Sequence, residues 1–140
     1  MLPRMVEIEV TYTGDLHATA RHGPSRAELA TDAPKDNEGR GESFSPTDLV
    51  ATALATCILT TMDLVARRHG WKLAGAHARV EKHMITAPER RIGRLPVQIT
   101  MPAGLPKEAR PVLERTALHC PVHQSVRSDI ERPLTFVYPD

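Results

Sequence analysis

The chain has 140 residues, 41% of them hydrophobic, which suits one domain with one core. Its 18 basic and 17 acidic side chains leave a formal charge of +1, so nothing electrostatic argues for nucleic acid or a membrane surface, and 4% aromatics are too few for a base-stacking platform. The opening "MLPRMVEIEV" lacks the apolar run of about 7–15 residues of a signal peptide, and no stretch approaches the roughly 20 apolar residues of a membrane span.

From these readings a cytoplasmic chain is expected, in which a structural disulfide is out of place and a redox or metal role for cysteine gains weight. "MVEIEVTY" (Met5–Tyr12) sets Val6, Ile8 and Val10 on one face and Glu7, Glu9 and Thr11 on the other, the period of a half-buried strand. Gly14-Asp15 is a turn signal, and "LHATAR" (Leu16–Arg21) alternates again, so the two read as a hairpin. After the break at His22–Ser25, "RAELAT" (Arg26–Thr31) is a third strand. The polar stretch 32–44 is a loop, long enough to suggest a function or mobility.

Residues 45–70 predict a long helix. Ser45 suits the N-cap, Pro46 the first helical position, and Asp48 completes an S-x-x-D capping pattern. Arg67, Arg68 and His69 fill the last turn and Gly70 supplies the stop. Leu49 to Met62 shows no polar face, so the helix is expected to cross the core or a subunit interface. Residues 71–101 read as a strand hairpin interrupted at Ala87-Pro88, with Pro96 at an edge or bulge. Helices follow over 105–129, broken at Cys120-Pro121, and a terminal strand over 132–138. The order predicts an α+β fold around mostly antiparallel sheets. Trp71 and Met62 are expected in the core, and "ERRIGR" (Glu89–Arg94) as solvated charge at a hairpin tip.

The two cysteines carry the functional question. Cys57 lies inside the apolar helix, where a small core residue is the plain reading. Cys120 in "HCPVHQSV" would be the N-cap of a short helix begun by Pro121, a place that lowers a thiol pKa. His119, Cys120 and His123, with Cys57 as a fourth, are conceivable metal ligands, but the proline breaks the helix between the histidines and Cys57 lacks a close ligand partner. The cysteines stand 63 residues apart, which excludes C-x-x-C but permits contact between packed helices. Such a pair could run peroxide chemistry, one thiolate becoming a sulfenic acid that the other resolves. His119 and His123 could assist deprotonation near neutral pH.

Together, "SPTDLVATALATC" and "HCPVHQSV" resemble the OsmC/Ohr superfamily of thiol-dependent hydroperoxide reductases, over roughly residues 5–138. The resemblance implies an OsmC-like fold with sheets around two central helices, in an intertwined homodimer. It makes Cys57 the peroxidatic residue and Cys120 the resolving one, the reverse of the helix-end argument. It implies an organic hydroperoxide substrate (with hydrogen peroxide a further one), an external thiol reductant, a part in oxidative-stress defence, and no cofactor or metal. An arginine would stabilise the Cys57 thiolate, with Arg21, Arg26 and Arg40 all in the right region. Ten residues before Cys57, where the enzymatic branches carry Glu, this chain has Thr47. Its acid comes one place later at Asp48, which on a helix rotates the carboxylate by about 100°. That departure resembles the less characterised OsmC-like branch. The alternative is a dimer of the same fold that binds a small apolar ligand with little peroxidase activity.

Overall fold

The computed structural model describes residues 5–139. Strands β1 (Ile8–Gly14), β2 (His17–His22) and β3 (Glu28–Asp32) pair antiparallel in sequence order. Asp15 and Leu16, both at positive φ, make the tight turn of the first hairpin. The third strand starts two residues later than its pattern suggests, because Arg26 sits in the preceding turn at φ 67° with its N–H on the His22 carbonyl. Ile8, Val10 and Tyr12 share one face with Ala18, Ala20 and Leu29, as alternation requires. The expected half-burial of β1 is not met, however: Ile8, Val10 and Tyr12 are each about 60% exposed. The period is right, but the apolar face is left exposed.

The expected loop over 32–44 begins one residue later, since Asp32 closes β3, and it carries a 3-10 turn at Lys35–Asn37. It is tied down by Asp32, whose Oδ2 accepts the N–H groups of Arg40 and Glu42 at 3.2 and 3.0 Å. Gly39 is required here, since a Cβ would lie 1.7 Å from the Ala33 carbonyl oxygen.

Helix α1 (Pro46–Arg68) begins in a reciprocal capping box. Ser45 N–H donates to Asp48 Oδ2 at 2.9 Å and Asp48 N–H to Ser45 Oγ at 3.1 Å. It ends in a Schellman motif, with Trp71 N–H on the Ala66 carbonyl, Gly70 N–H on that of Arg67, and Gly70 at φ 75°. One stripe is buried: Ala51, Leu54, Ala55, Ile58, Met62 and Ala66. The rest of the apolar surface is only partly covered, and Leu64 is 56% exposed. The expectation that no stretch approaches a membrane span is overturned. By length and composition α1 is apolar enough to cross a bilayer, because its many Ala and Thr residues carry almost no charge. In this structure that stripe is core.

The chain divides into two compact units, one ending at Leu49 and the other beginning at Val50. In the second, the hairpin over 71–101 is real but shorter and bent. Its strands are β4 (His77–Val80), β5 (His83–Ile85), β6 (Arg91–Arg94) and β7 (Val97–Thr100), with β4 paired to β7 and β5 to β6. Trp71–Ala76 is not strand, since the residues after the helix stop turn at Gly75. Pro96 stands at the joint between β6 and β7, where its carbonyl still accepts Glu81 N–H. Helices α2 (Ala109–Ala117) and α3 (Pro121–Ser125) follow, and β8 (Leu134–Val137) adds parallel to β7. Helix ends at Ser125, short of 129, because Val126 is extended. The core of this unit sets Leu54, Ile58 and Met62 of α1 against Ile99, Met101 and Leu113. The fold is α+β with mostly antiparallel sheets.

Candidate active site

Cys120 occupies the N-cap of α3. Pro121 fixes the first helical position, Cys120 stays extended at φ −69°, ψ 148°, and its sulfur accepts the His123 N–H at 3.2 Å. It is fully buried. Cys57, on α1 between the core residue Ile58 and the exposed Thr56, is partly buried and lies 3.9 Å from Thr61 Oγ1 one turn on. Both cysteines are free, and the fold brings their thiols close enough to interact electrostatically.

The helix-end argument expected a lowered pKa for Cys120, and this is reversed. Burial pushes its thiol up most strongly, the His123 amide opposes it, and the nearby Cys57 thiol pushes it further up. A helix of five residues has little dipole to set against desolvation. Around it, His123 is half-buried and its pKa is pushed down by burial, then by Arg132 and His119. That environment favours its neutral imidazole. The Arg132 guanidinium donates to the His123 carbonyl and so fixes α3. His119 is exposed beyond the end of α2, its N–H on the Thr116 carbonyl. Among the described residues, His119, Cys120, His123 and Cys57 do not gather as a metal-ligand cluster.

The supporting candidates divide by environment. Asp48 caps α1. Arg21 lies on the polar face of the first sheet, opposite Glu9 on β1 and Glu28 on β3. Arg26 is exposed in its turn. Arg40 is paired with Asp15 and with Glu42, the latter at 3.5 Å. Sequence reasoning missed Thr61 and Arg132. It also missed a cluster in the first unit, where ligand atoms of His17, Asp32 and Glu42 all lie within 4.8 Å of one another. No short motif signals that cluster, because a strand, a strand end and a loop each supply one member.

Residues 39–132 match the model of the family described as OsmC-like protein. No curated protein matches the chain. Among solved structures, a protein of Psychrobacter arcticus 273-4 named for osmotic stress induction and detoxification response is 41% identical. It superposes with a TM-score of 0.89 over 96% of this chain and 98% of its own. An organic hydroperoxide resistance protein OsmC of Legionella pneumophila (16% identity, TM-score 0.77, 98% and 99% covered) has the same fold. So does the organic hydroperoxide resistance protein OhrB of Bacillus subtilis (14%, 0.69, 94% and 97%). The chain belongs to the OsmC-like protein family.

Proposed function

We propose that the protein is a homodimeric thiol peroxidase of oxidative-stress defence that reduces organic hydroperoxides through Cys57 and Cys120. The observation carrying this reading is the meeting of two free thiols that lie 63 residues apart in sequence. The Cys57 thiolate attacks the distal peroxide oxygen. The O–O bond breaks, Cys57 becomes a sulfenic acid, and the alkoxide leaves and takes up a proton as the alcohol. The Cys120 sulfur then displaces hydroxide from the sulfenic sulfur, giving the Cys57–Cys120 disulfide and water. Two equivalents of an external thiol restore both cysteines and leave as their own disulfide. Such recycling suits a reducing compartment such as the cytoplasm. The names of the Legionella and Bacillus proteins agree with a peroxide substrate.

Division of labour follows exposure. Cys57 is partly accessible to a substrate, whereas Cys120 is buried and held as a thiol, which suits the resolving step. The cation that Cys57 needs is sought among Arg21, Arg26 and Arg40. The second copy is supported by unmet burial: among the described residues every buried hydrophobic one lies at or beyond Ala51, while Val6, Ile8, Val10, Tyr12 and Phe44 are exposed. A contiguous exposed apolar face of this kind marks an interaction surface.

Turnover of cumene hydroperoxide with dithiothreitol, by wild type, Cys57→Ser and Cys120→Ser, tests the reading. Loss of turnover in Cys57→Ser is expected, and wild-type turnover no faster than that variant would sink it. One observation favours the second reading, a binder of small apolar ligands: an open cavity of about 660 Å³ lined by Leu59, Leu64, Trp71 and Leu73 and by neither cysteine. Saturable binding of a fluorescent fatty acid that is unchanged by both cysteine substitutions, without turnover, would mark that outcome.

A further inference from the structure

His17 faces an acceptor at each ring nitrogen. Nδ1 lies 2.6 Å from the Asp15 carbonyl oxygen and therefore carries a proton. Nε2 lies 3.0 Å from Glu42 Oε1 and 3.5 Å from Asp32 Oδ1. A neutral ring would thus turn the Nε2 lone pair onto two carboxylates. Something positive belongs there, either a second proton or a metal ion.

We propose that His17 Nε2, Asp32 Oδ1 and Glu42 Oε1 form a zinc site, separate from the cysteine pair and independent of its chemistry. Zinc–nitrogen and zinc–oxygen bonds of about 2.0–2.2 Å put ligand atoms roughly 3.0 Å apart in a cis octahedral shell and roughly 3.4 Å apart in a tetrahedral one. The distances from His17, 3.0 and 3.5 Å, lie on either side of the tetrahedral spacing, within a few tenths of an ångström of it. The supporting shell is already built. The Asp15 carbonyl fixes the tautomer that leaves Nε2 free to ligate, the arrangement typical of a metal-bound histidine. Asp32 is 1% exposed, and its other oxygen is held by the Arg40 and Glu42 amides. One imidazole with two carboxylates suits zinc, and lacks the soft donors that select copper(I). The ion would tie β2, the end of β3 and the loop before α1 to one point. Arg40 competes with it, since its guanidinium shares Glu42 Oε1 at 3.5 Å. Zinc needs the Nε2 lone pair, so zinc and a second proton on His17 bind in competition.

The test uses the full chain carrying Cys57→Ser and Cys120→Ser, so that no thiol can take the metal. Calorimetric titration with Zn²⁺ at pH 7.5 should give one equivalent per chain. His17→Gln and Glu42→Gln should each weaken it at least about tenfold. Arg40→Gln should tighten it, and Co²⁺ in place of Zn²⁺ should give a visible band that His17→Gln abolishes. Asp32 also anchors the loop, so Asp32→Asn is read only in a variant whose circular dichroism matches the parent. Equal zinc affinity in parent and His17→Gln would overturn the proposal. So would a parent that binds no zinc while its His17 titrates by NMR as an imidazolium unmoved by added metal, in which case a proton closes the cluster.

Discussion

Reduced protein treated with iodoacetamide at pH 7 should be labelled at Cys57 well before Cys120. The reagent consumes thiolate and needs access, and Cys120 is deficient in both. It has no exposed surface, and burial with the Cys57 neighbour raises its pKa above the ordinary 9.0. A thiol at 9.0 is about 1% ionised at pH 7, so the labelling rate of Cys120 lies more than about 100-fold below its fully ionised limit. That rate should climb about tenfold per pH unit and show no plateau before pH 9. Cys57→Ser removes the neighbouring thiol whose charge and hydrogen bond raise Cys120, so in that variant the Cys120 profile should move to lower pH. The same shift acts on stability: a raised pKa means that the fold favours the protonated sulfur. The resulting stabilisation is whole below the unfolded thiol pKa and is lost as pH rises through the folded one. Mass spectrometry of peptides from time-quenched samples gives both rates. Cys120 labelled as fast as Cys57 at pH 7, or a Cys120 rate levelling off below about pH 8.5, would refute the reasoning.

Gly70→Ala places a Cβ at φ 75° in the Schellman turn and should cost about 1 kcal/mol, seen as a lower denaturation midpoint at unchanged slope in urea. Leu54→Ala empties a fully buried position of α1 and should cost about 2–5 kcal/mol by the same measurement. The His17–Asp32 pair sets a pH window, measured with EDTA present. His17, raised by the Asp15 carbonyl and then by Glu42 and Asp32, contributes fully below its ordinary 6.5 and is lost as pH rises through its folded value. Asp32, lowered chiefly by the Glu42 amide, contributes fully above its ordinary 3.8 and is lost as pH falls through its folded value. The melting-temperature gap between wild type and His17→Gln should therefore be widest near pH 5 and close at alkaline pH; a gap that widens above pH 8 would contradict the pairing.

What could be read in the sequence follows the range of the forces involved. Both ends of α1 were legible because caps are local: Ser45, Pro46 and Asp48 at one end and Gly70 at the other interact within a few residues. The N-cap position of Cys120 was legible for the same reason, since Pro121 dictates it. Its pKa was not, because desolvation depends on what packs over the sulfur, and that is decided by residues far along the chain. The bend of the 71–101 hairpin was hidden too, because β4 finds its partner β7 across the intervening β5–β6 hairpin. Period two located the faces of β1 but could not say whether anything covers them. The role of Asp32 was invisible, because a buried aspartate that holds two loop amides looks in sequence like one more polar loop residue.

Two unmet burials, the apolar face of the first sheet and the partly covered flank of α1, bear on the chemistry of Cys57. If a second copy covers the flank on which Cys57 sits, between exposed Thr56 and Thr60, it removes water from that sulfur and disfavours the thiolate. Assembly and reactivity would then oppose each other unless the same event delivers a positive charge. Asp48 has one carboxylate oxygen on the Ser45 amide, and Arg40 is already bound to Asp15 and Glu42, so a cation drawn from Arg40 has those pairs to give up first. Arg21 faces two glutamates across its sheet, and only Arg26 stands exposed in a turn. On the proposed peroxidase reading, single alanine substitutions read by kcat/KM at fixed chain concentration distinguish them. The arginine that serves Cys57 will cost activity steeply and shift the pH–rate profile to higher pH, whereas one that only holds the fold will lower stability and leave the profile in place.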